Sequence, residues 1–274
     1  MLKFRFLILF LIISINYSCS KELEKEIIIE KSMETEMIEA YQQGLDELDK
    51  GDSLYAAKKF NEAETLFPQS IWAPRAALMA AYSYYLQDYY GDATAELERF
   101  FKIYPNHKNT DYAHYLLAIT YYEQIIDEKK DLQAILSAKK KFLFMISQYP
   151  NTEYTVDAKF KLKKVNEILA SKELYVGRYY FDKKKWIPAI NRFKVVVDDY
   201  QTTIYIEEAL YRLVEIYYLL GLKDEAKKYA QLLGYNYQSS DWYKRSYKFF
   251  DDLYEIEEKN KEKSLLKKVT SLFK

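Results

Sequence analysis

One cysteine, two histidines, six glycines and five prolines are all that the 274 residues contain of these types. A single Cys makes no internal disulfide, and two His leave little for a zinc site or an acid–base pair. Scarce Gly and Pro leave few positions for the tight turns that punctuate β-rich folds, so a mostly helical chain is expected. An excess of one charge sign is lacking too: 41 Lys and Arg balance 41 Asp and Glu. That argues against a general nucleic-acid binder, which must neutralise phosphates. The chain has no Gly-rich phosphate loop, no His-Glu-x-x-His motif and no nucleophile elbow. His107 and His114 have no carboxylate or Cys at metal-ligand spacing, so both are read as structural or surface residues. The many carboxylates read as solvated helix faces. The expectation is therefore a protein that is not an enzyme and has no metal or cofactor.

What the sequence does have is apolar and aromatic: 49% hydrophobic residues, with 29 Tyr and 15 Phe. That composition excludes wholesale disorder. The first run of it is N-terminal. Lys3 and Arg5 precede an apolar stretch from Phe6 to Ile15, ten residues long. A bilayer span needs about 20, so the stretch fits the h-region of a secretory signal. Cys19 sits where cleavage would fall, after Ser18. This arrangement resembles a bacterial lipoprotein signal, in which that Cys carries the acyl chains. It departs from the pattern at Asn16, where the family usually has Leu, Val or Ile, and a plain secretory signal with an incidental Cys is the alternative. A lone thiol in an oxidising compartment is a liability, which favours a consumed one. By the same resemblance, Ser20 rather than Asp after the Cys points to the outer membrane. Cleavage would remove Lys3 and Arg5 and leave the chain slightly acidic. Residues 1–18 are thus read as signal and 19–36 as lipid anchor and charged tether.

Internal repetition organises the rest. Phe67-Pro68, Tyr104-Pro105 and Tyr149-Pro150 each close a helical-looking segment. Twelve residues before each Pro stands a small residue (Ala56, Ala93, Ala138), and four residues later a large apolar one (Phe60, Leu97, Phe142). These spacings resemble the tetratricopeptide repeat, a helix–turn–helix unit of about 34 residues. Its pattern places small residues at positions 8 and 20, aromatics at 11 and 24, and Pro at 32. Five units register, starting at 37, 74, 111, 170 and 207. The long third step resolves into a charged loop near Asp127–Asp131 and a 14-residue excess, close to four helical turns. One helix from Glu153 to about Tyr180 absorbs that excess without losing phase. The reading is an all-α superhelix, with repeats one and two in 37–110, repeat three with its loop in 111–152, and repeats four and five in 153–250. Residues 251–274 form a tail in which Leu265, Leu266, Val269, Leu272 and Phe273 share one helical stripe among lysines. A solenoid cap, a partner-binding helix and a membrane-surface helix all fit that tail.

In the repeat family, positions 2, 5, 9 and 12 of the first helix face the concave groove. Transferred here, they give Ile38, Tyr41, Leu45 and Leu48, then Arg75, Leu78, Tyr82 and Tyr85, then Tyr112, Tyr115, Ile119 and Tyr122. Tyr offers a large contact area and a hydroxyl at modest entropy cost. Tyr41, Arg75, Tyr82, Tyr85, Tyr112, Tyr115 and Tyr122 are therefore candidates for a peptide groove, unless some pack under neighbouring helices.

A fuller resemblance covers nearly the whole mature chain. Glu173-Leu-Tyr-Val-Gly-Arg-Tyr-Tyr-Phe, Trp186-Ile-Pro-Ala-Ile-Asn-Arg-Phe, Asp199-Tyr200 and Glu207-Glu208-Ala209-Leu210 look like the BamD family of outer-membrane lipoproteins. The departures are Asn16, Gln201 in place of Pro, and the long tail. The resemblance implies a scaffold of the β-barrel assembly machinery, lipid-anchored on the periplasmic face of the outer membrane. It implies as partners a BamA-like barrel protein with POTRA domains, other assembly lipoproteins, and nascent outer-membrane proteins with aromatic-ended signals. It also implies that Asn191 and Arg192 hold the POTRA partner; a solvated helix charge, or an intramolecular pair of Arg192 with Asp198 or Asp199, is the alternative. A different reading of the whole chain is a repeat lipoprotein that organises cell-wall or envelope-division proteins.

Overall fold

The computed structural model describes residues 32–125 and 132–251. The signal, Cys19, the tether up to residue 31, the charged loop at 126–131 and the tail from 252 lie outside the described residues; residues 33–36, expected in the tether, belong to the first helix. Within them the chain folds as eleven α-helices and a short 3₁₀ turn. In order these are α1 (Met33–Asp49), α2 (Ser53–Leu66), α3 (Ala73–Leu86), α4 (Tyr90–Ile103), α5 (Thr110–Glu123) and α6 (Gln133–Gln148). There follow α7 (Glu153–Asp182), α8 (Trp186–Asp199), α9 (Ile206–Leu219), α10 (Lys223–Asn236) and α11 (Asp241–Tyr247), then the 3₁₀ turn Lys248–Phe250. Each helix packs on the next, and the pairs α1/α2, α3/α4, α5/α6, α7/α8 and α9/α10 are the five expected repeats.

The repeat positions explain the packing. The small residue at position 20 is fully buried in every unit: Ala56, Ala93, Ala138, Ala189 and Ala226. Phe60, Leu97, Phe142 and Phe193 at position 24 are equally buried. Position 8 must be small because position 24 of the same unit lies on it. A Cβ on Gly44 would stand 2.7 Å from the Phe60 ring, and one on Gly177 would stand 2.5 Å from Phe193. The fifth unit is weaker, as expected: Ala230 replaces the aromatic at position 24.

Helix ends follow from local chemistry. The Ser32, Asp52 and Ser240 side chains accept the first-turn N–H groups of α1, α2 and α11, and a Pro stands in the first turn of α3. Every second helix ends on an aromatic C-cap: Phe67, Tyr104, Tyr149, Tyr200 and Tyr237. Three of these precede Pro, which disfavours helical backbone. Tyr200 and Tyr237 precede Gln yet stop the chain with similar φ, −132° and −139°. The fourth repeat thus ends at its expected place with Gln201 instead of Pro, on a Tyr200 that is only 9% exposed.

Candidate functional site

The first helices of repeats one to three carry the candidate tyrosines, and the structure divides them into three groups. Tyr41 and Arg75 meet at Trp72. Tyr41 packs edge-on against Trp72 and Phe60, both at 5.2 Å, and the Arg75 guanidinium lies 5.0 Å above the indole. Burial raises the Tyr41 phenol pKa, and the Arg75 charge opposes the rise. This group bridges repeats one and two and is half-buried.

The second group is a tyrosine face. Tyr82 stacks on Tyr85 at 6.4 Å, and Tyr85 meets Tyr90 at 6.3 Å. On α5, Tyr112 and Tyr115 both pack on Tyr154 of α7, at 5.3 and 5.2 Å. The Tyr115 hydroxyl donates to Asp157 Oδ2 at 2.6 Å. Burial is the first cause raising the phenol pKa of Tyr85, Tyr112, Tyr115 and Tyr154, and the neighbouring tyrosines and carboxylates add to it. These hydroxyls stay neutral near pH 7; Tyr115 spends its proton on Asp157 and Tyr154 is bonded to Glu153, and both oxygens keep the capacity to accept. Beside them opens a cleft of about 510 Å³, lined by Lys108, Asn109, Asp111, Tyr112, Thr152, Glu153 and Tyr154. Ring faces next to neutral hydroxyls suit an extended peptide, whose backbone needs partners on both its N–H and C=O groups.

Tyr122 forms the third group. It packs on Phe142 at 6.1 Å and carries Lys161 over its ring at 4.9 Å. Two further groove positions are not available: Leu78 and Ile119 are buried, 4% and 9% exposed, and join the core.

Asn191 and Arg192 sit elsewhere, on the exposed side of α8. Arg192 Nη1 donates to Glu173 on α7, at 3.0 Å to Oε2. The partner is therefore neither Asp198 nor Asp199. Those residues lie on the same helix as Arg192, whereas Glu173 faces it from the antiparallel neighbour. At 45% exposure the Arg192 side chain keeps donors open to solvent. Ile187, one turn before Asn191, is 72% exposed. Among the described residues no group of three or more His, Cys, Asp or Glu is arranged to hold a metal, and no helix is long and apolar enough to cross a membrane.

The chain matches the family model YfiO, described as outer membrane lipoprotein, over residues 33–232. It is 38% identical over 234 residues to a Caulobacter vibrioides protein named outer membrane protein assembly factor BamD, covering 85% of this chain and 76% of that one. A Rickettsia prowazekii protein of the same name is 43% identical over 208 residues, 76% of this chain and 83% of its own. One from Neisseria meningitidis serogroup A is 32% identical over 210 residues, 73% and 79% of the two chains. The chain belongs to the BamD family.

The YfiO match takes in every candidate residue from Tyr41 to Arg192; Cys19 and the tail from 252 lie outside both it and the described structure. Sequence reasoning missed Trp72, Tyr154, Asp157 and Lys161. Three of these lie on the part of α7 that lengthens the fourth repeat. The signal was present: a helix starting at Glu153 and kept in phase must lay its first turns against α5, and Tyr154 and Asp157 stand one turn apart there.

Proposed function

We propose that this chain is a lipid-anchored periplasmic scaffold for assembly of outer-membrane β-barrels. Its family relatives are named outer membrane protein assembly factors. On this reading Cys19 carries the anchor, and the tyrosine face receives extended, aromatic-bearing segments of unfolded outer-membrane proteins. The exposed face of α8 around Asn191 and Arg192 holds the POTRA region of a BamA-like barrel subunit, alongside other assembly lipoproteins. The observation that carries the reading is the face itself: Tyr82, Tyr85, Tyr112, Tyr115 and Tyr154 cluster beside an open cleft in a chain of this family. The two surfaces lie on different kinds of helix, first helices for the tyrosines and a second helix for Arg192, so substrate and barrel partner can bind together.

Two substitutions test the two surfaces separately. Tyr85→Ala with Tyr112→Ala removes ring area from one face, and loss of central aromatic anchors typically costs about 1–2 kcal/mol each. Binding of a synthetic peptide ending in an aromatic residue should weaken at least about tenfold. Unchanged binding, with helicity intact, would remove the face from the site. Arg192→Glu breaks the pair with Glu173 and reverses the exposed charge. Copurification of the barrel partner should fall while circular dichroism stays the same, and undiminished recovery would clear Arg192 of that role.

A further inference from the structure

The seams between successive second helices use the same repeat positions, 28 on one helix and 26 on the next, closed below by the aromatic C-cap. Between repeats one and two these are Glu64 and Arg99. Arg99 Nη1 and Nη2 donate to the two Glu64 oxygens at 2.8 and 2.5 Å, and the Tyr104 hydroxyl donates to Glu64 at 2.8 Å. The floor of the cleft there is charged and already paired. Between repeats two and three they are Phe101 and Phe144, which enclose His114 at 4.0 and 4.7 Å. That seam is plugged by rings.

Between repeats four and five the same positions hold Val197 and Leu232, and nothing among the described residues fills the gap. A cavity of about 310 Å³ opens there, lined by Val197, Ile206, Leu210 and Leu232, with Gln201, Thr202, Asn236 and Tyr237 around them. Val197, Ile206 and Leu210 form an apolar floor, 8%, 5% and 1% exposed, while Leu232 on the open side is 41% exposed. The surroundings are electronegative. Both α8 and α10 end at this seam, and neither has a basic residue in its last turn to offset the partial negative charge of a helix C-terminus. Asp198 and Asp199 end α8 in exposed positions, and Glu207 lies close enough to act on Tyr237. Two cations flank this side: Lys194, one turn back on α8 and acting on Tyr229, and Lys139, 4.5 Å over the Tyr200 ring and acting on Asp199.

We propose that this seam is the docking site of the chain's own C-terminal segment, residues 264–274. Its Leu265, Leu266, Val269, Leu272 and Phe273 fall at helical spacing on one stripe, which matches an apolar floor. Lys267, Lys268 and Lys274, with no Asp or Glu between 264 and 274, match the negative rim. The chain is also delivered to the right place. α11 packs so tightly on α10 that a Cβ on Gly234 would stand 2.7 Å from the Tyr243 ring, and Gly234 is two residues from Leu232. The 12 residues from 252 to 263 span up to about 40 Å when extended, ample to return along α10.

The test uses the full-length chain. Hydrogen exchange is compared with that of full-length Leu265→Lys, Phe273→Lys, whose substitutions lie outside the folded repeats. Amides of 200–206 and 229–237 should exchange at least about tenfold faster in the variant, with α1 and α2 unchanged. Equal exchange at the seam would overturn the proposal. A photocrosslinker at Leu232 gives the second reading. Crosslinks to 264–274 within one molecule, persisting on dilution, are expected. Crosslinks into a second copy, or to a basic segment of another envelope protein, would overturn it.

Discussion

Gly51, Asp88, Lys184 and Gly221 all occupy position 15 of their repeats, and all have positive φ: 85°, 60°, 55° and 76°. The turn within each of these four repeats demands a left-handed residue, which costs a side chain about 1–2 kcal/mol and glycine nothing. Lys184→Gly should therefore raise stability by about 0.5–1 kcal/mol after the entropy cost of glycine, read from chemical unfolding. Asp88→Gly should gain less, because Asp88 accepts a hydrogen bond from the Tyr90 hydroxyl at 2.6 Å. Glycine is the residue type that marks such a turn in a sequence, whereas a lysine within Lys183-Lys184-Lys185 carries no turn signal. His114 makes a second residue-scale case. A structural role could be read from its isolation, but not its environment: a ring between Phe101 and Phe144 with Nδ1 buried and unpaired. Burial first, then Lys141, lowers its pKa to about 4. The unfolded chain binds this proton near pH 6.5, the folded chain only near 4, so stability is whole above 6.5 and falls as pH drops between them. The melting temperature should decline from pH 7 to pH 5, and His114→Phe should flatten that decline. An unchanged slope would mean other groups govern it.

At the scale of the element, α7 decides how the two halves of the solenoid join. Its 30 residues run about 45 Å, and Thr155, Ala158, Val165, Leu169, Ala170, Leu174 and Gly177 hold a buried line along it. The excess length was readable as four turns because only a whole number of turns keeps Gly177 facing Phe193 while Thr155 faces repeat three. What lies against the first of those turns was not readable, because position numbering in a regular repeat assigns no neighbour to an extension. Hence Tyr154 joined the tyrosine face unannounced. Phase is the testable property. One Ala inserted after Glu167 turns the second half by about 100° relative to the first and should abolish cooperative unfolding of the chain. Gly177→Ala, which keeps phase but crowds Phe193, should cost about 1–3 kcal/mol in a single transition. Similar single transitions in both variants would show that α7 does not couple the halves.

Across the whole molecule, the repeats leave three surfaces with different chemistry. The first helices present tyrosines beside an open cleft, the outer side of α8 presents Arg192 with Ile187, and the last seam presents an apolar floor in a negative rim. The repeat spacing fixed which helices carry each surface, and part of the aromatic excess is packing, as at Tyr121, Tyr180 and Tyr217. Contacts between repeats had to come from the folded chain, because they depend on pairs such as Glu64 and Arg99 that stand 35 residues apart. The scaffold account requires that this chain and a barrel subunit occupy one complex in the outer membrane. Crosslinked pulldown of the full-length protein from membranes, with the recovered proteins identified by mass spectrometry, tests it most directly. Recovery of an outer-membrane β-barrel protein with POTRA domains, reduced by Arg192→Glu, is the predicted result. Recovery of cell-wall or division proteins with no such barrel would contradict the account.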